Sequence, residues 1–261
     1  MRNKSTVSVL CISSFVVTLL MVSPLQAQTT PADHFARGKK LVEDNCVDCM
    51  GGTQQDEEEG IRELETALQG HYESPVDAYK LLADAYANMS TYVEKKSESE
   101  SQAFRDREYG VYRKLYQIAP DDQQVLMDYA RTLTESKEQI PIYTKVLSLN
   151  PKNADARFLL GDALLELNQV KEGVEQVKQA VLLEADPEGI RNYVQRLIEA
   201  LEQHHCPLKD GAAYNREVVR AEEAATQGAG NPQPMVIFKK KFATALQQHI
   251  CVTPAASSEP R

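Results

Sequence analysis

Cysteine and histidine side chains are the groups in this chain whose types and spacing suit them to chemistry. Cys11 lies in an apolar N-terminal run, Cys46 and Cys49 form a C-x-x-C pair, and Cys206 and Cys251 lie near histidines towards the C-terminus. Thiols in such settings form disulfides, exchange electrons, attach a haem or bind a metal ion. Which of these they do depends on the cellular compartment and on the elements that hold them.

The N-terminal sequence predicts export. Two basic residues precede an apolar run from Val7 to Val22, and a small residue, Ala27, follows it. This order is typical of a secretory signal peptide, residues 1–27, whose cleavage after Ala27 would remove Cys11. An uncleaved anchor is the alternative, because the run is close to the shortest length that spans a bilayer. After cleavage we expect no membrane span and a location in a bacterial periplasm.

The pair Cys46 and Cys49 lies in the next predicted region, an N-terminal segment over residues 28–55. The stretch from Gly38 to Met50 resembles the haem-attachment motif of c-type cytochromes, in which a histidine follows the second cysteine. Met50 stands in that place, so the iron ligand is missing. A structural disulfide, a redox-active pair and a haem or metal site stay open as interpretations. Export favours the disulfide, and we therefore expect no bound cofactor.

The last two cysteines end similar segments. The residues that lead to Cys206 and to Cys251 share the pattern A-L-x-Q-H-x-C at a spacing of 45, with another helical segment between them. Two helices with these endings, separated by a reversing helix, would place both thiols at one end. A Cys206–Cys251 disulfide would then stabilise the fold by about 3 to 4 kcal/mol in the chain-entropy model. A metal site that adds His204 and His249 is the alternative.

Helical patterning dominates the rest of the chain and is strongest over residues 154–187. Apolar residues recur there at helical spacing in two segments, and Pro187 closes the second. The small residues Gly161, Gly173 and Ala180 allow the two helices to approach closely. A single hairpin leaves an apolar face open, so further copies of the unit must cover it.

Weaker copies of this unit precede it. Residues 82–86 match residues 160–164, and residues 59–61 match residues 172–174. Prolines close three predicted second helices, at Pro120, Pro151 and Pro187. Over roughly residues 57–200 this pattern resembles the tetratricopeptide repeat family, whose unit is about 34 residues long.

The resemblance implies an all-α fold, an antiparallel helix-pair right-handed solenoid with C-terminal capping helices. We predict repeats over residues 56–205, capping helices over 206–251 and a disordered tail over 252–261. In this family the first helix of each unit faces a concave groove that binds a partner. The groove positions that the resemblance assigns are Asp77, Lys80, Asp84 and Asn88, then Gln124, Met127, Arg131 and Glu135, then Asp155, Phe158, Asp162 and Glu166.

Charge narrows the class of partner. The formal net charge of −9 argues against nucleic acid and against an anionic membrane surface. The groove positions also carry more acid than base, and Asp84 and Asp162 stand where the family's clamp for a terminal carboxylate uses asparagine. We therefore expect a protein or peptide segment with Lys or Arg side chains, although a merely solvated acidic face is the alternative.

Motifs for catalysis do not occur in the sequence. It has no phosphate-binding loop, no zinc-protease helix and no nucleophile elbow. The predicted function is thus a non-enzymatic scaffold or adaptor. The alternative is a redox, haem or metal-binding protein that uses Cys46 and Cys49.

Overall fold

The computed structural model describes residues 29–44, 53–227 and 231–249, and over these ranges it is built from α-helices without a β-strand. The signal peptide, the Cys46–Cys49 pair, Cys251 and the tail lie outside them. None of the described helices combines the length and apolarity that a bilayer span requires. In chain order the helices are α1 (Pro31–Asp44), α2 (Gln54–Gln69), α3 (Pro75–Glu94), α4 (Glu98–Ile118), α5 (Gln123–Thr132), α6 (Ser136–Leu149), α7 (Ala154–Glu166), α8 (Val170–Leu183), α9 (Pro187–Gln203), α10 (Gly211–Gln227) and α11 (Gln233–Gln248).

Consecutive helices pack together as a row of hairpins. α1 packs on α2, α3 on α4, α5 on α6, α7 on α8 and α9 on α10, and the second helix of each of the first four hairpins contacts the first helix of the next. The last helix, α11, packs against α8 and α10. The all-α fold of stacked helix pairs with C-terminal capping helices is therefore confirmed.

Two glycines set the close approach of α7 and α8. A Cβ atom on Gly161 would lie 2.6 Å from Val177 Cγ2 and 2.9 Å from the carbonyl oxygen of Gly173. A Cβ atom on Gly173 would lie 2.7 Å from Leu165 Cγ and 2.8 Å from the carbonyl oxygen of Gly161. Neither position has room for a methyl group. The structure thus confirms that these glycines bring the two helices together.

The same contact recurs between α1 and α2. A Cβ atom on Gly38 would lie 2.8 Å from Leu64 Cγ and 3.1 Å from the carbonyl oxygen of Gly60, and one on Gly60 would lie 2.9 Å from Val42 Cγ2. Gly38 and Gly60 therefore play the part in the first hairpin that Gly161 and Gly173 play in the fourth.

The first hairpin differs from the sequence-based boundaries, which set residues 28–55 apart from the repeats. In the structure α1 belongs to a hairpin of the same kind as α7 and α8. The loop lengths explain the difference: Gly60 follows Gly38 by 22 positions, whereas Gly173 follows Gly161 by 12. Cys46 and Cys49 belong to the sequence that connects α1 to α2, outside the described residues, and the greater length of this connection hides the repeat spacing.

Buried side chains form three clusters along the row. The first extends from α1 to α5, the second from α5 to α7 and the third from α7 to α11. Neighbouring clusters share a helix, α5 or α7, which links them. Such an arrangement is typical of repeat proteins, in which each unit is stabilised mainly by its neighbours.

Prolines mark helix ends where the sequence predicts them. α4 and α6 end two residues before Pro120 and Pro151, and Pro187 opens α9. Pro141 is different, because the sequence places it in the first turn of a helix, whereas α6 begins at Ser136 and contains it. Pro141 is exposed, as is Lys137 one turn earlier, so the carbonyl that the missing amide hydrogen leaves without a helical partner lies on the solvent side of α6.

Candidate partner-binding groove

Two acidic groove positions of α7, Asp162 and Glu166, have partners within the chain. Arg196 of α9 donates from Nε to Asp162 Oδ1 at 3.0 Å, and its Nη2 lies 3.6 Å from Glu166 Oε1. The hydrogen bond with Asp162 raises the pKa of the Arg196 guanidinium. Ser136 also donates to Glu166. These acids therefore connect neighbouring helices, and Arg196 compensates part of their charge.

The other two groove positions of α7 pack against α9. The ring of Phe158 stacks on the ring of Tyr193 with centroids 4.3 Å apart. The Tyr193 hydroxyl lies between the carboxylates of Asp155 and Glu184 and donates a hydrogen bond to them. Burial and these carboxylates raise the pKa of the Tyr193 hydroxyl far above its usual range. Phe158 and Asp155 thus hold two repeats together.

Some groove positions of α3 make contacts within the chain, and others are exposed at its surface. Lys80 Nζ lies 2.6 Å from Asp122 Oδ2, and Asp122 caps the start of α5. The Asn88 amide donates to Glu57 at 3.1 Å, and the Glu57 side chain is buried. Asp77 is exposed.

Met127 is placed differently from the sequence-based assignment. It was predicted to face the groove, whereas the structure buries it in the cluster shared by α5, α6 and α7. The reason is that α5 packs against both α4 and α6 and therefore buries three consecutive side chains, those of residues 125–127. Met127 therefore presents no surface to a partner.

Two of the remaining positions of the second unit, Gln124 and Arg131, contact Asp128. Gln124 Nε2 lies 2.9 Å from both carboxylate oxygens of Asp128, and Arg131 Nη1 lies 2.8 Å from Oδ1. Gln124, Arg131 and Glu135 are exposed. Asp128 itself was not among the assigned positions, although it lies one residue from Met127, and it is the centre of the local charge network.

A cavity of about 620 Å³ lies between α4, α5 and the start of α6. Two tyrosine rings, Tyr109 and Tyr112, form part of its wall. Four acidic and two basic side chains also line it, namely Arg105, Asp106, Glu108, Asp128, Arg131 and Glu138. Arg131 is the groove position from the sequence analysis that lines this cavity. Half of the lining residues come from α4, a second helix, which the family-based assignment does not consider.

Negative charges are crowded at this cavity. Burial, together with the charges of Asp84 and Asp128, raises the pKa of the Glu108 carboxyl. Burial and the charge of Asp128 likewise raise the pKa of Asp84. The Asp84 side chain is accessible to solvent yet closely surrounded by protein atoms, which is the situation of a group on a concave surface. Burial and the same three carboxylates raise the pKa of the Tyr112 hydroxyl above its usual range.

Both arginines of the cavity wall already have acidic partners. Arg131 pairs with Asp128, and Arg105 Nη2 lies 2.6 Å from Glu98. The positive charges of both arginines are therefore partly compensated by these partners. Asp84 and Glu108 also repel each other, and each is repelled by Asp128. An arrangement of carboxylates and tyrosine rings around a solvent-filled cavity favours a cationic ligand.

Replacing Glu108 with glutamine is expected to stabilise the protein at pH 7. A carboxyl whose pKa is higher in the folded than in the unfolded state makes the fold lose stability as the pH rises from the unfolded pKa through the folded one. We expect Glu108→Gln to raise the free energy of unfolding at pH 7 by about 0.5 to 1 kcal/mol. Urea denaturation should show that the gain in free energy of unfolding of the variant over the wild type is larger at pH 7 than at an acidic pH where Glu108 is protonated in both the folded and the unfolded state.

The exposed Glu223 of α10 provides the matched control. Glu223→Gln should change the free energy of unfolding by no more than about 0.5 kcal/mol at either pH. A Glu108→Gln variant that is less stable than the wild type at pH 7 would contradict the assignment, because the carboxylate would then be making a net favourable contact.

Cys206 is buried at the end of α9, next to the end of α11. It takes part in a disulfide, and its sulfur lies 3.1 Å from His249 Nε2. Cys251 lies outside the described residues, so its pairing with Cys206 stays a prediction, as does that of Cys46 with Cys49. Among the described residues, no group of three or more His, Cys, Asp and Glu side chains is arranged to hold a metal ion.

Comparisons with known proteins identify the repeat type. Residues 140–198 match the tetratricopeptide repeat family, a segment that covers α7, α8 and parts of α6 and α9. This match confirms the recognition of the family from the sequence. The comparison with curated proteins gives no match. Among solved structures the chain is similar to "MamA MSR-1 C2", with 18% identity, coverage of 72% of this chain and 95% of that chain, and a TM-score of 0.36. That score is too low to support an argument about function.

Proposed function

We propose that this tetratricopeptide repeat protein is an exported scaffold or adaptor that binds a protein segment carrying Lys or Arg side chains, without catalysis of its own. The observation that carries the proposal is the cavity between α4 and α5. Burial, together with the charge of Asp128, raises the pKa of Asp84, and burial, together with the charges of Asp84 and Asp128, raises the pKa of Glu108. Of the two arginines in the wall, Arg131 pairs with Asp128 and Arg105 pairs with Glu98.

Recognition would combine charge with ring contacts. An ammonium or guanidinium group entering the cavity relieves the repulsion among Asp84, Glu108 and Asp128. The rings of Tyr109 and Tyr112 line the same cavity, and a cation that contacts a tyrosine ring gains about 0.5 to 2 kcal/mol depending on its exposure to water. Because the cation stabilises the ionised carboxylates, binding should release protons at a pH where Glu108 is partly protonated.

Electrostatics of this kind favours fast association and discrimination between partners. The acids of α7 do not contribute in the same way, since Arg196 already pairs with Asp162 and Glu166. The binding region is therefore expected at the second and third hairpins, not along the whole row of first helices.

Export rests on the N-terminal sequence, and the proposal of a periplasmic location rests on export. Intact mass of the mature chain, alkylated with and without prior reduction, would report signal cleavage and the number of blocked thiols. The alternative function, a redox, haem or metal-binding protein that uses Cys46 and Cys49, stays a prediction because both cysteines lie outside the described residues.

Short labelled peptides test the proposed function. One set carries Lys and Arg, and a matched set carries Gln in their place. We expect the basic set to bind, and its affinity, followed by fluorescence anisotropy, to fall by about tenfold as salt rises from ~0.02 to ~0.3 M, where the Debye length drops from roughly 20 to 6 Å. The double variant Glu108→Gln, Asp128→Asn should lose about tenfold in affinity at low salt, or about 1.4 kcal/mol.

The control variant is Asp162→Asn, which removes a predicted groove acid that already pairs with Arg196. It should leave peptide affinity unchanged. Equal binding of the neutral peptides, or an affinity that does not depend on salt, would refute the proposed mode of recognition.

A further inference from the structure

The last described helix has a different charge from the others. The sixteen residues of α11 include three lysines and neither Asp nor Glu, whereas every other described helix contains at least one acidic residue. In a chain with a formal net charge of −9, α11 is therefore a basic element.

One face of α11 is exposed and combines apolar with basic side chains. Ile237 is 63% exposed, the highest value among the exposed large apolar residues of the described chain, and its neighbour Val236 is 39% exposed. Lys240 and Lys241 are exposed on the following turn, and Lys241 pairs with Glu217 of α10. The opposite face packs on α8 and α10 through four buried residues, Met235, Phe238, Phe242 and Leu246.

We propose that this face of α11 docks into the cavity between α4 and α5 of a second copy of the chain. The two surfaces complement each other in chemistry: the cavity offers tyrosine rings and carboxylates, and α11 offers an exposed isoleucine followed by lysines. Lys240 would meet Glu108 and Asp128, and Ile237 would lie against the tyrosine rings. The proposal rests on the cavity of the proposed function and names its partner.

Geometry within one copy favours a contact between molecules. α11 packs against α8 and α10 of its own chain, while α4, α5 and the start of α6 line the cavity. The two surfaces thus belong to different hairpins, and each copy offers one of each. Such a contact joins unlike surfaces, so it either closes as a reciprocal dimer, in which each α11 enters the cavity of the other copy, or extends head to tail into rings or open chains.

The mature protein is tested by sedimentation velocity at increasing concentration. The α11 variant combines Ile237→Asp with Lys240→Glu, and the cavity variant is Glu108→Lys; circular dichroism checks that both fold. We expect the wild type to form larger species as its concentration rises, and each variant alone to stay monomeric. An equimolar mixture should form dimers and nothing larger, because one intact cavity then meets one intact α11 face.

Several outcomes would overturn the proposal: a wild type that is monomeric at every concentration, an α11 variant that still associates, or a mixture that stays monomeric. Basic peptides separate this failure from that of the proposed function. If the wild type binds them yet stays monomeric, the cavity function stands and the second copy is refuted. A monomeric wild type that instead sediments with phosphatidylglycerol vesicles would assign the α11 face to a membrane.

Discussion

Replacing Gly161 with alanine is expected to lower the free energy of unfolding by about 1 to 3 kcal/mol, the usual cost of adding a methyl group to a packed interior. The added Cβ atom would lie 2.6 Å from Val177 Cγ2, and it would also lie 2.9 Å from a backbone oxygen, that of Gly173. A side chain can rotate away, but a helix backbone cannot move without separating α7 from α8. The loss should occur even though alanine is the better helix former.

Gly110 provides the matched control, because it is also inside a helix, α4, and a Cβ atom there would meet nothing within 4 Å. Gly110→Ala should raise the free energy of unfolding by about 0.5 to 1 kcal/mol, since alanine loses less conformational entropy in a helix than glycine does. Urea denaturation of both variants measures the two effects. A Gly161→Ala variant as stable as Gly110→Ala would show that the spacing of α7 and α8 is not fixed by the glycine contact.

The helix pairs could be predicted because their information is local. Apolar periodicity, the glycines of α7 and α8, and the prolines after α4 and α6 each act within a few residues. The first hairpin could not be predicted in the same way. Its two glycines, Gly38 and Gly60, make the same contact as Gly161 and Gly173, but the longer connection between them removes the regular spacing on which repeat recognition depends.

The candidate site was predicted only in part, because its charges are distributed by the fold. Sequence position alone assigns Asp84, Asp162 and Glu166 to the same acidic groove. The structure separates them, since Arg196 lies 34 residues beyond Asp162 and neutralises it, whereas Asp84 lies near Asp128. Such pairings between distant residues have no periodic signature in the sequence.

Much of the cavity wall was missed for a different reason. The family-based assignment places partner contacts on first helices, whereas Glu108, Tyr109 and Tyr112 belong to α4. The third pair of helices along the chain, α5 and α6, is shorter than α3 and α4, which have 20 and 21 residues. The greater length of the hairpin of α3 and α4 allows α4 to form one side of the cavity. Tyr109 and Tyr112 follow one another at helical spacing, which is typical of a packing face, and both also line the cavity.

Phe242→Ala is expected to have the largest effect on stability, a loss of about 3 to 5 kcal/mol for the hairpins near the C-terminus. The Phe242 side chain is fully buried, with its ring centroid 5.6 Å from that of Phe238 and 5.4 Å from that of Tyr214. Removing the ring leaves a cavity between α10 and α11 that neighbouring side chains cannot fill. Ile237→Ala is the control on the same helix, and because Ile237 is largely exposed it should cost less than about 0.5 kcal/mol.

Hydrogen exchange followed by mass spectrometry would show which helices lose stability in the Phe242→Ala variant. Phe242 belongs to the cluster that extends from α7 to α11, whereas the buried side chains of α1 to α4 belong to another cluster. Because the units of a repeat protein are stabilised mainly by their neighbours, the amides of α9 to α11 should exchange faster while those of α1 to α4 keep most of their protection. Equal loss of protection in all described helices would instead show one cooperative unit. A local loss would also remove the α11 docking face and leave the cavity of α4 and α5 intact, so the variant should bind basic peptides yet stay monomeric.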